Sequence, residues 1–135
     1  MAGSPRKAAA VVRTFWERME ARDWAGARTL LADDVAVVWP ATRERFIGAD
    51  AFIEVNQHYP GDWHIEVKKV LADKAEVLAW VEVRLDGQLS LCAQRAIVED
   101  RKIRSSVDLW VDEGAETPPP WRVELMSRPR PEDAS

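Results

Sequence analysis

Hydrophobic and polar residues alternate most regularly over residues 89–111, where the sequence is LSLCAQRAIVEDRKIRSSVDLWV. Because side chains on a β-strand point alternately to the two faces of a sheet, this pattern predicts two long strands joined by a tight turn at residues 99–102. In the second strand Asp108 and Trp110 fall on the same face. A carboxylate beside an indole favours a partly apolar cavity with a polar group directed into it, since ligand sites usually combine aromatic walls with few polar groups. The alternative is an exposed strand face with one isolated tryptophan.

The N-terminal part of the chain has helical periodicity. Ser4 is a suitable N-cap and Pro5 a suitable first helical residue, and the helix that they start is predicted to end near Arg22. Its apolar positions recur at helical spacing and comprise Val11, Val12, Phe15, Trp16 and Met19. A second, short helix is predicted from its cap Asp23 to Leu31, so that the two helices form a hairpin with almost no loop.

The rest of the chain is predicted to consist mainly of strands. Proline, glycine and aspartate divide it into a strand at 35–39, a loop at 40–47, a third helix at 48–59, and strands at 63–71, 75–85, 89–98, 103–111 and 121–126. Helices that precede a run of antiparallel strands are typical of an α+β fold. The expected architecture is one curved antiparallel sheet wrapped around the helices as a cone with an open mouth. Residues 1–127 are predicted to form a single domain and residues 128–135 a disordered tail.

Composition narrows the classes of function. The 135 residues carry a formal net charge of −4 and no basic block apart from a Pro-Arg tail, so nucleic acid is not an expected partner. No apolar run approaches the roughly 20 residues of a membrane helix, so no membrane association is expected. Cys92 is the only cysteine, which excludes an intrachain disulfide and favours the cytoplasm. His58 and His64 are too isolated to indicate a metal site, and neither metal nor cofactor is predicted.

The chain contains seven tryptophans, a high number for its length. The elements expected to line the cone carry the candidate ligand-binding residues Trp16, Trp39, Trp80, Trp110, Phe15, Phe52, Tyr59 and Arg95. Core packing is the default role of large aromatic residues. However, Trp80 shares a strand face with Glu82, which repeats the indole–carboxylate pairing of the last long strand and favours a pocket. Such a pocket would suit a flat apolar ligand that carries a hydroxyl, amine or carbonyl group.

Three stretches of the sequence resemble one superfamily. They are ARDWAGARTLLADDVAVVWP after the first helix, the helix FIGADAFIEVNQHY and the hairpin VEDRKIRSSVDLW. Together they resemble the nuclear transport factor 2-like superfamily, which includes SnoaL-like polyketide cyclases, ketosteroid isomerases and limonene-epoxide hydrolases. The resemblance extends over about residues 8–112 and implies the fold of a cystatin-like α+β roll. Because one fold can host many unrelated functions, it does not by itself imply an activity.

Two of the activities of the superfamily lack the residues that the resemblance requires. The aspartate base, the oxyanion-hole tyrosine and the second acid of a steroid isomerase fall at Trp39, Phe15 and near Ala93. None of these side chains can do the corresponding chemistry, so steroid isomerisation is not expected. A SnoaL-like cyclase would pair an aspartate, here Asp108, with a histidine that this part of the chain does not contain.

Epoxide hydrolases of this superfamily imply a third possibility. Their second aspartate falls on Asp108, their first near Glu82 and the intervening arginine near Trp80. A pair of carboxylates in an apolar cone would have their pKa values pushed apart, one acting as acid and the other as base. The alternative is that Glu82 only forms an ion pair on the sheet with Arg84 or Arg95.

Two functional classes therefore remain open. The first is a protein that binds a small apolar molecule in the cone, and the second is an acid–base enzyme with Asp108 as base and Glu82 as partner. The missing arginine, tyrosine and histidine favour binding over the known chemistries, and a degenerate pocket on a sheet that serves only assembly is a weaker third possibility. An outer sheet face left bare by the helices also predicts a homodimer, because extended apolar patches usually mark interfaces. The residues assigned to that face are Val77, Ala79, Val81, Val83 and Leu85 with Leu89, Leu91, Ala93 and Ile97.

Overall fold

The computed structural model describes residues 4–134. In chain order the elements are α1 (Pro5–Glu20), α2 (Trp24–Arg28), β1 (Leu31–Trp39), β2 (Glu44–Ile47), α3 (Ala49–Gln57), β3 (Trp63–Asp73), β4 (Glu76–Leu85), β5 (Gln88–Glu99), β6 (Lys102–Asp112), α4 (Pro120–Val123) and a 3-10 turn (Pro131–Ala134). All six strands form one sheet in the order β2-β1-β6-β5-β4-β3. Neighbouring strands are antiparallel except β1 and β6, which are parallel. The sheet is curved and unclosed around the helices, which confirms the predicted α+β cone.

The helical hairpin begins as the sequence predicts. The Ser4 hydroxyl accepts a hydrogen bond from the backbone N–H of Lys7, and Pro5 is the first residue of α1. The Asp23 carboxylate caps α2 in the same way, at 2.9 Å from the N–H of Gly26. However, α2 ends at Arg28 rather than at Leu31, because Leu31 already pairs with β6 as the first residue of β1.

Two short segments differ from the prediction. The predicted loop 40–47 contains β2, which pairs with the end of β1 through a tight turn in which Arg43 has a φ of 61°. Only Phe46 of this edge strand is half-buried, so the sequence shows no apolar alternation there. The predicted strand 121–126 is instead the one-turn helix α4, since prolines at its start favour a helical turn. Part of the segment predicted to be disordered forms the 3-10 turn.

The hydrophobic core lies between the concave face of the sheet and helices α1 and α3. Its fully buried side chains come from α1 and from most of the strands, and they include Val12, Phe15, Val35, Val37, Val77, Val81, Cys92 and Ile103. Burial of a side chain of this size contributes about 1.5–3 kcal/mol. Among residues 4–134, no helix has the length and apolarity that crossing a membrane requires.

The two faces of β4 are the reverse of those assigned from the sequence. Val77, Ala79 and Val81 point into the core beneath the helices. Leu78 and Trp80 lie on the convex face, where 52% and 41% of their surfaces remain exposed. The prediction that the Trp80 face lines the cone is therefore wrong, because the small and β-branched residues of β4 are the ones that the helices cover.

On β5 the predicted outer face is correct, because Leu89, Leu91, Ala93 and Ile97 all lie on the convex side. Leu91 and Ala93 pair with the convex-face residues Glu82 and Trp80, respectively. The convex face of β6 adds Leu109 and Val111. The outer face is thus apolar as expected, but its residues on β4 are not the predicted ones.

Candidate functional site

A cavity of about 380 Å³ opens at one end of the cone, between α1, α3 and the concave face of the sheet. Its apolar lining consists of Trp16, Met19, Trp39, Ala41, Val55, Tyr59, Trp63, Ile65, Val83, Leu85 and Trp110. Its polar lining consists of Thr42, Glu44, Asn56, Ser90 and Asp112. The cavity is within the size range of sites for small organic molecules.

Three indoles form walls of the cavity, and that of Trp110 stands nearly perpendicular to the other two. The ring of Trp110 lies 6.4 Å from the rings of Trp16 and Trp39, with interplanar angles of 73° and 79°. Edge-to-face contacts of this kind are the preferred geometry of aromatic pairs. Phe15 and Phe52 pack edge-on behind Trp16 and Trp39, respectively, and do not line the cavity. These two predicted ligand-binding residues therefore support the walls.

A buried chain of hydrogen bonds fixes two of the indoles from behind. The Trp16 Nε1–H donates to Gln94 Oε1 at 2.8 Å, and Gln94 Nε2 donates to the Ser106 hydroxyl at 3.0 Å. That hydroxyl donates to Asp108 Oδ1 at 2.6 Å, and the Trp39 Nε1–H donates to Asp108 Oδ2 at 3.1 Å. An indole N–H can only donate a hydrogen bond, and this fixes which group is donor and which is acceptor in each bond of the chain. From each end the donors point towards the Asp108 carboxylate, which accepts at both oxygens.

The Asp108 carboxyl is held in an apolar environment. Only 2% of the residue is exposed, and burial raises its pKa from 3.8 to about 6, although the hydrogen bonds from Ser106 and Trp39 act in the opposite direction. Asp108 does not line the cavity, whereas Trp39 does, so the carboxylate lies behind the Trp39 indole.

Neither Arg95 nor Arg104 pairs with Asp108. Arg95 is on the convex face, where its guanidinium lies 2.6 Å from Glu76. The guanidinium of Arg104 contacts Glu99 at 3.4 Å. The prediction that Arg95 lines the pocket is wrong, because β5 places it on the opposite face from Gln94, which pairs with Asp108.

Glu82 does not face Asp108. It pairs with Leu91 of β5 on the convex side, is 3% exposed and has Oε2 at 3.7 Å from Lys68 Nζ. Its Oε1 has no hydrogen-bond partner among the described residues. The predicted pairing of Glu82 with Asp108 is therefore wrong, and so is the wall shared by Trp80 and Trp110. Both errors arise because β4 was assigned to the wrong face of the sheet. An error of one residue moves every side chain of a strand to the opposite face.

Several cavity residues were not predicted from the sequence. Asp112 follows Trp110 by two residues, so strand alternation was sufficient to place it on the same face. Trp63 alternates with Ile65 at the start of β3 in the same way. Ser90 and Glu44 had no such pattern, since their position depends on pairing between strands that are distant in the sequence.

The described residues include no group of three or more His, Cys, Asp or Glu side chains that could hold a metal ion. Cys92 is buried in the core, and this burial raises the pKa of its thiol, with a smaller effect from the nearby Asp108 charge. A buried thiol of this kind is inert. The chemistry available at the cavity is therefore that of indoles, carboxylates and hydroxyls.

The fold and family are established by comparison with known proteins. A comparison with curated proteins finds no match. The crystal structure of a "putative ketosteroid isomerase" from Kribbella flavida DSM 17836 is 30% identical over 95% of this chain and 93% of that chain, with a TM-score of 0.85. An NTF-2 like protein of unknown function from Burkholderia xenovorans LB400 is 16% identical, covers 93% and 97% of the two chains and has a TM-score of 0.72.

An LEH-like epoxide hydrolase from M. tuberculosis has a TM-score of 0.67 at 19% identity, over 79% of this chain and 84% of that chain. The likeness to this enzyme and to the B. xenovorans protein shows a common fold and no more. The family model of the SnoaL-like domain matches residues 12–111, which is most of the chain and includes all three indole walls. The chain therefore belongs to the SnoaL-like domain family.

Proposed function

We propose that this protein binds a small, largely apolar molecule in the indole-lined cavity. The observation that carries the proposal is the set of three indoles, with Trp110 nearly perpendicular to Trp16 and Trp39, around a cavity of about 380 Å³. Side chains held in fixed orientations lose little entropy when a ligand binds, which is the main advantage of a preformed site. The network behind Trp16 and Trp39 supplies that rigidity.

The residues at the superfamily's catalytic positions do not support its known chemistries. The positions that a steroid isomerase would need are occupied by Trp39, Phe15 and Ala93, and Ala93 lies on the convex face. Glu82, which would be the second carboxylate of an epoxide hydrolase, is on the same convex face. Binding therefore remains the better-supported function.

Blocking the cavity tests this function. We expect Val55→Trp to abolish the binding of tert-butylbenzene, because Val55 lines the cavity from α3 and a larger side chain would occupy the space of the ligand. The matched control is Gln57→Trp, which adds the same side chain at an exposed position of the same helix. Binding is measured by tryptophan fluorescence and calorimetry. Undetectable binding to the native protein, or equal binding to both variants, would contradict the proposal.

A second candidate function is acid–base catalysis by Asp108. The observation that favours it is the pKa of about 6, because a general base works best with a pKa near the operating pH. Direct contact with a substrate would require Trp39 to move away from the carboxylate that it donates to. Loss of turnover with retained ligand affinity in Asp108→Asn is the result that would favour this function over binding alone.

We also propose that the protein forms a homodimer through the convex face of the sheet. Leu78 and Trp80 of β4 and Leu109 and Val111 of β6 are between 41% and 59% exposed there, with Leu91 and Ala93 of β5 between them. An apolar patch of this extent usually marks an interface, and two-fold symmetry is the commonest arrangement of two identical chains.

Light scattering tests the dimer. We expect Leu109→Arg to convert a particle of twice 15.3 kDa into the 15.3 kDa monomer, because a charge at the centre of an apolar interface would be buried without a partner. Leu125→Arg is the control, since Leu125 is 79% exposed in the C-terminal segment. A native protein that is monomeric at micromolar concentration, or a variant that remains dimeric, would exclude this interface.

A further inference from the structure

We propose, on the premise that the cavity is the ligand site, that its ligand is an organic cation: a substituted ammonium group whose charged head lies among the indoles. The inference rests on which hydrogen-bonding groups of the cavity are already in use. The groups that remain available are π faces and oxygen acceptors, and these are the partners that a cation needs.

Three of the four indole N–H groups around the cavity are already paired, and the fourth is enclosed by protein. Those of Trp16 and Trp39 donate to Gln94 and Asp108, as described above. The Trp63 Nε1–H donates to the backbone carbonyl of Tyr59 at 3.3 Å. Trp110 Nε1 is buried and has no partner among the described residues. The indoles therefore present rings rather than hydrogen-bond donors to the cavity.

The hydroxyl donors of Thr42 and Ser90 and one of the two N–H donors of Asn56 are also occupied. The Thr42 hydroxyl donates to Glu44 at 2.6 Å, and the Ser90 hydroxyl donates to Asp112 at 2.6 Å. The Asn56 amide donates to the Phe52 carbonyl at 2.7 Å, which leaves Asn56 Oδ1 as an acceptor. The acceptors at the site are thus two carboxylates and an amide oxygen, and its remaining side-chain donors are the Tyr59 hydroxyl and the second N–H of the Asn56 amide.

The charge of the cavity lining also favours a cationic ligand. Its two ionisable carboxylates are Glu44 and Asp112, and among the described residues no lysine, arginine or histidine lines the cavity. A carboxylate or phosphate ligand would be repelled by these groups, whereas a cation would be attracted. A ligand that carries only a carbonyl would gain no hydrogen bond from these carboxylates, because an ionised carboxylate can only accept.

The indoles are suited to hold the charged head. Tryptophan is the strongest aromatic partner of a cation, and the perpendicular walls surround a rounded ammonium group on several sides. The Asp108 carboxylate accepts the N–H of Trp39, which polarises that ring and makes its π face more negative. Trp63 already carries a cation, since the Arg22 guanidinium lies 3.3 Å from its ring centre. The site for the ligand head is therefore formed by Trp16, Trp39 and Trp110.

A pair of isosteric probes tests this inference. Phenyltrimethylammonium and tert-butylbenzene have the same shape and differ by a charged nitrogen in place of a carbon. We expect the native protein to bind the ammonium probe about tenfold more tightly, as cation–π attraction in a desolvated site allows. Glu44→Gln and Asp112→Asn should each weaken the binding of the ammonium probe roughly two- to fivefold more than that of tert-butylbenzene, with a smaller difference at high salt. The control Glu17→Gln removes one charge from an exposed position of α1 that does not line the cavity.

The possible outcomes separate this inference from the proposed function. Tighter binding of the cation that depends on the two lining carboxylates but not on Glu17 supports both the cation preference and the proposed binding function. Equal or tighter binding of tert-butylbenzene overturns the cation preference and leaves the binding function standing. Equal weakening by Glu17→Gln would assign the preference to net charge and overturn the inference. Binding of neither probe would overturn the proposed function itself.

Discussion

Relative to the native protein, the Asp108→Asn variant is expected to gain about 2.5 kcal/mol of stability as the pH is raised from about 4 to about 7.5. Burial raises the pKa of Asp108 from 3.8 to about 6 in the folded state. The folded protein therefore holds this proton more tightly than the unfolded chain. The resulting stabilisation is fully present at low pH and is lost as the pH rises through about 6. Asparagine does not titrate, so this decrease in stability with rising pH is absent from the variant.

Denaturant unfolding of both proteins at the two pH values measures the effect. The difference between native and variant is the relevant quantity, because the contributions of all other groups cancel in it. Asp50→Asn gives a control that should change little between these two pH values. A hydrogen bond and ion pair with Arg28 lower the pKa of Asp50 from its ordinary value of 3.8, so most of its contribution is retained at both pH values and is lost only at lower pH. A native-to-variant difference that does not change with pH would show that Asp108 titrates as an ordinary aspartate.

The sequence predicted the architecture because the strongest patterns arise from burial. The amphipathic helix α1 and the long alternating strands β5 and β6 each have an apolar face, and the boundaries of these elements differ from the prediction by only a few residues. Failure came where burial is weak, as in the edge strand β2 and the exposed segment around Trp121. A local pattern in such segments does not distinguish between a strand, a turn and a single helical turn.

The site was predicted less well, because face assignment depends on what covers each strand. Asp108 and Trp110 were correctly placed on one face of β6 from alternation alone. On β4 both faces carry large apolar residues, so alternation gave two equivalent solutions, and the choice of the Trp80 face was wrong. The deciding fact is that α1 packs over Val77 and Val81, which is a tertiary contact with no counterpart in the local sequence.

Gln94→Leu is expected to destabilise the fold by about 3 kcal/mol, with little change in side-chain volume. Gln94 is 4% exposed and supplies both the acceptor of the Trp16 N–H and the donor to the Ser106 hydroxyl. A leucine would leave the indole N–H without a partner in the core, and a buried unsatisfied donor costs about 1–3 kcal/mol. Arg95→Leu, one residue away on the exposed face, should change the stability by less than about 1 kcal/mol.

A double-mutant cycle shows whether the chain of hydrogen bonds acts as one unit. Gln94→Leu and Ser106→Ala both remove the bond between Gln94 and Ser106, so the double variant should be less destabilised than the sum of the single variants, by about 1 kcal/mol. Strict additivity, or a Gln94→Leu variant as stable as the native protein, would show that the donors find other partners. If the coupling is present, the residues that keep the Asp108 charge in the core also hold the Trp16 and Trp39 walls in place. The same variant should then weaken ligand binding although Gln94 does not line the cavity.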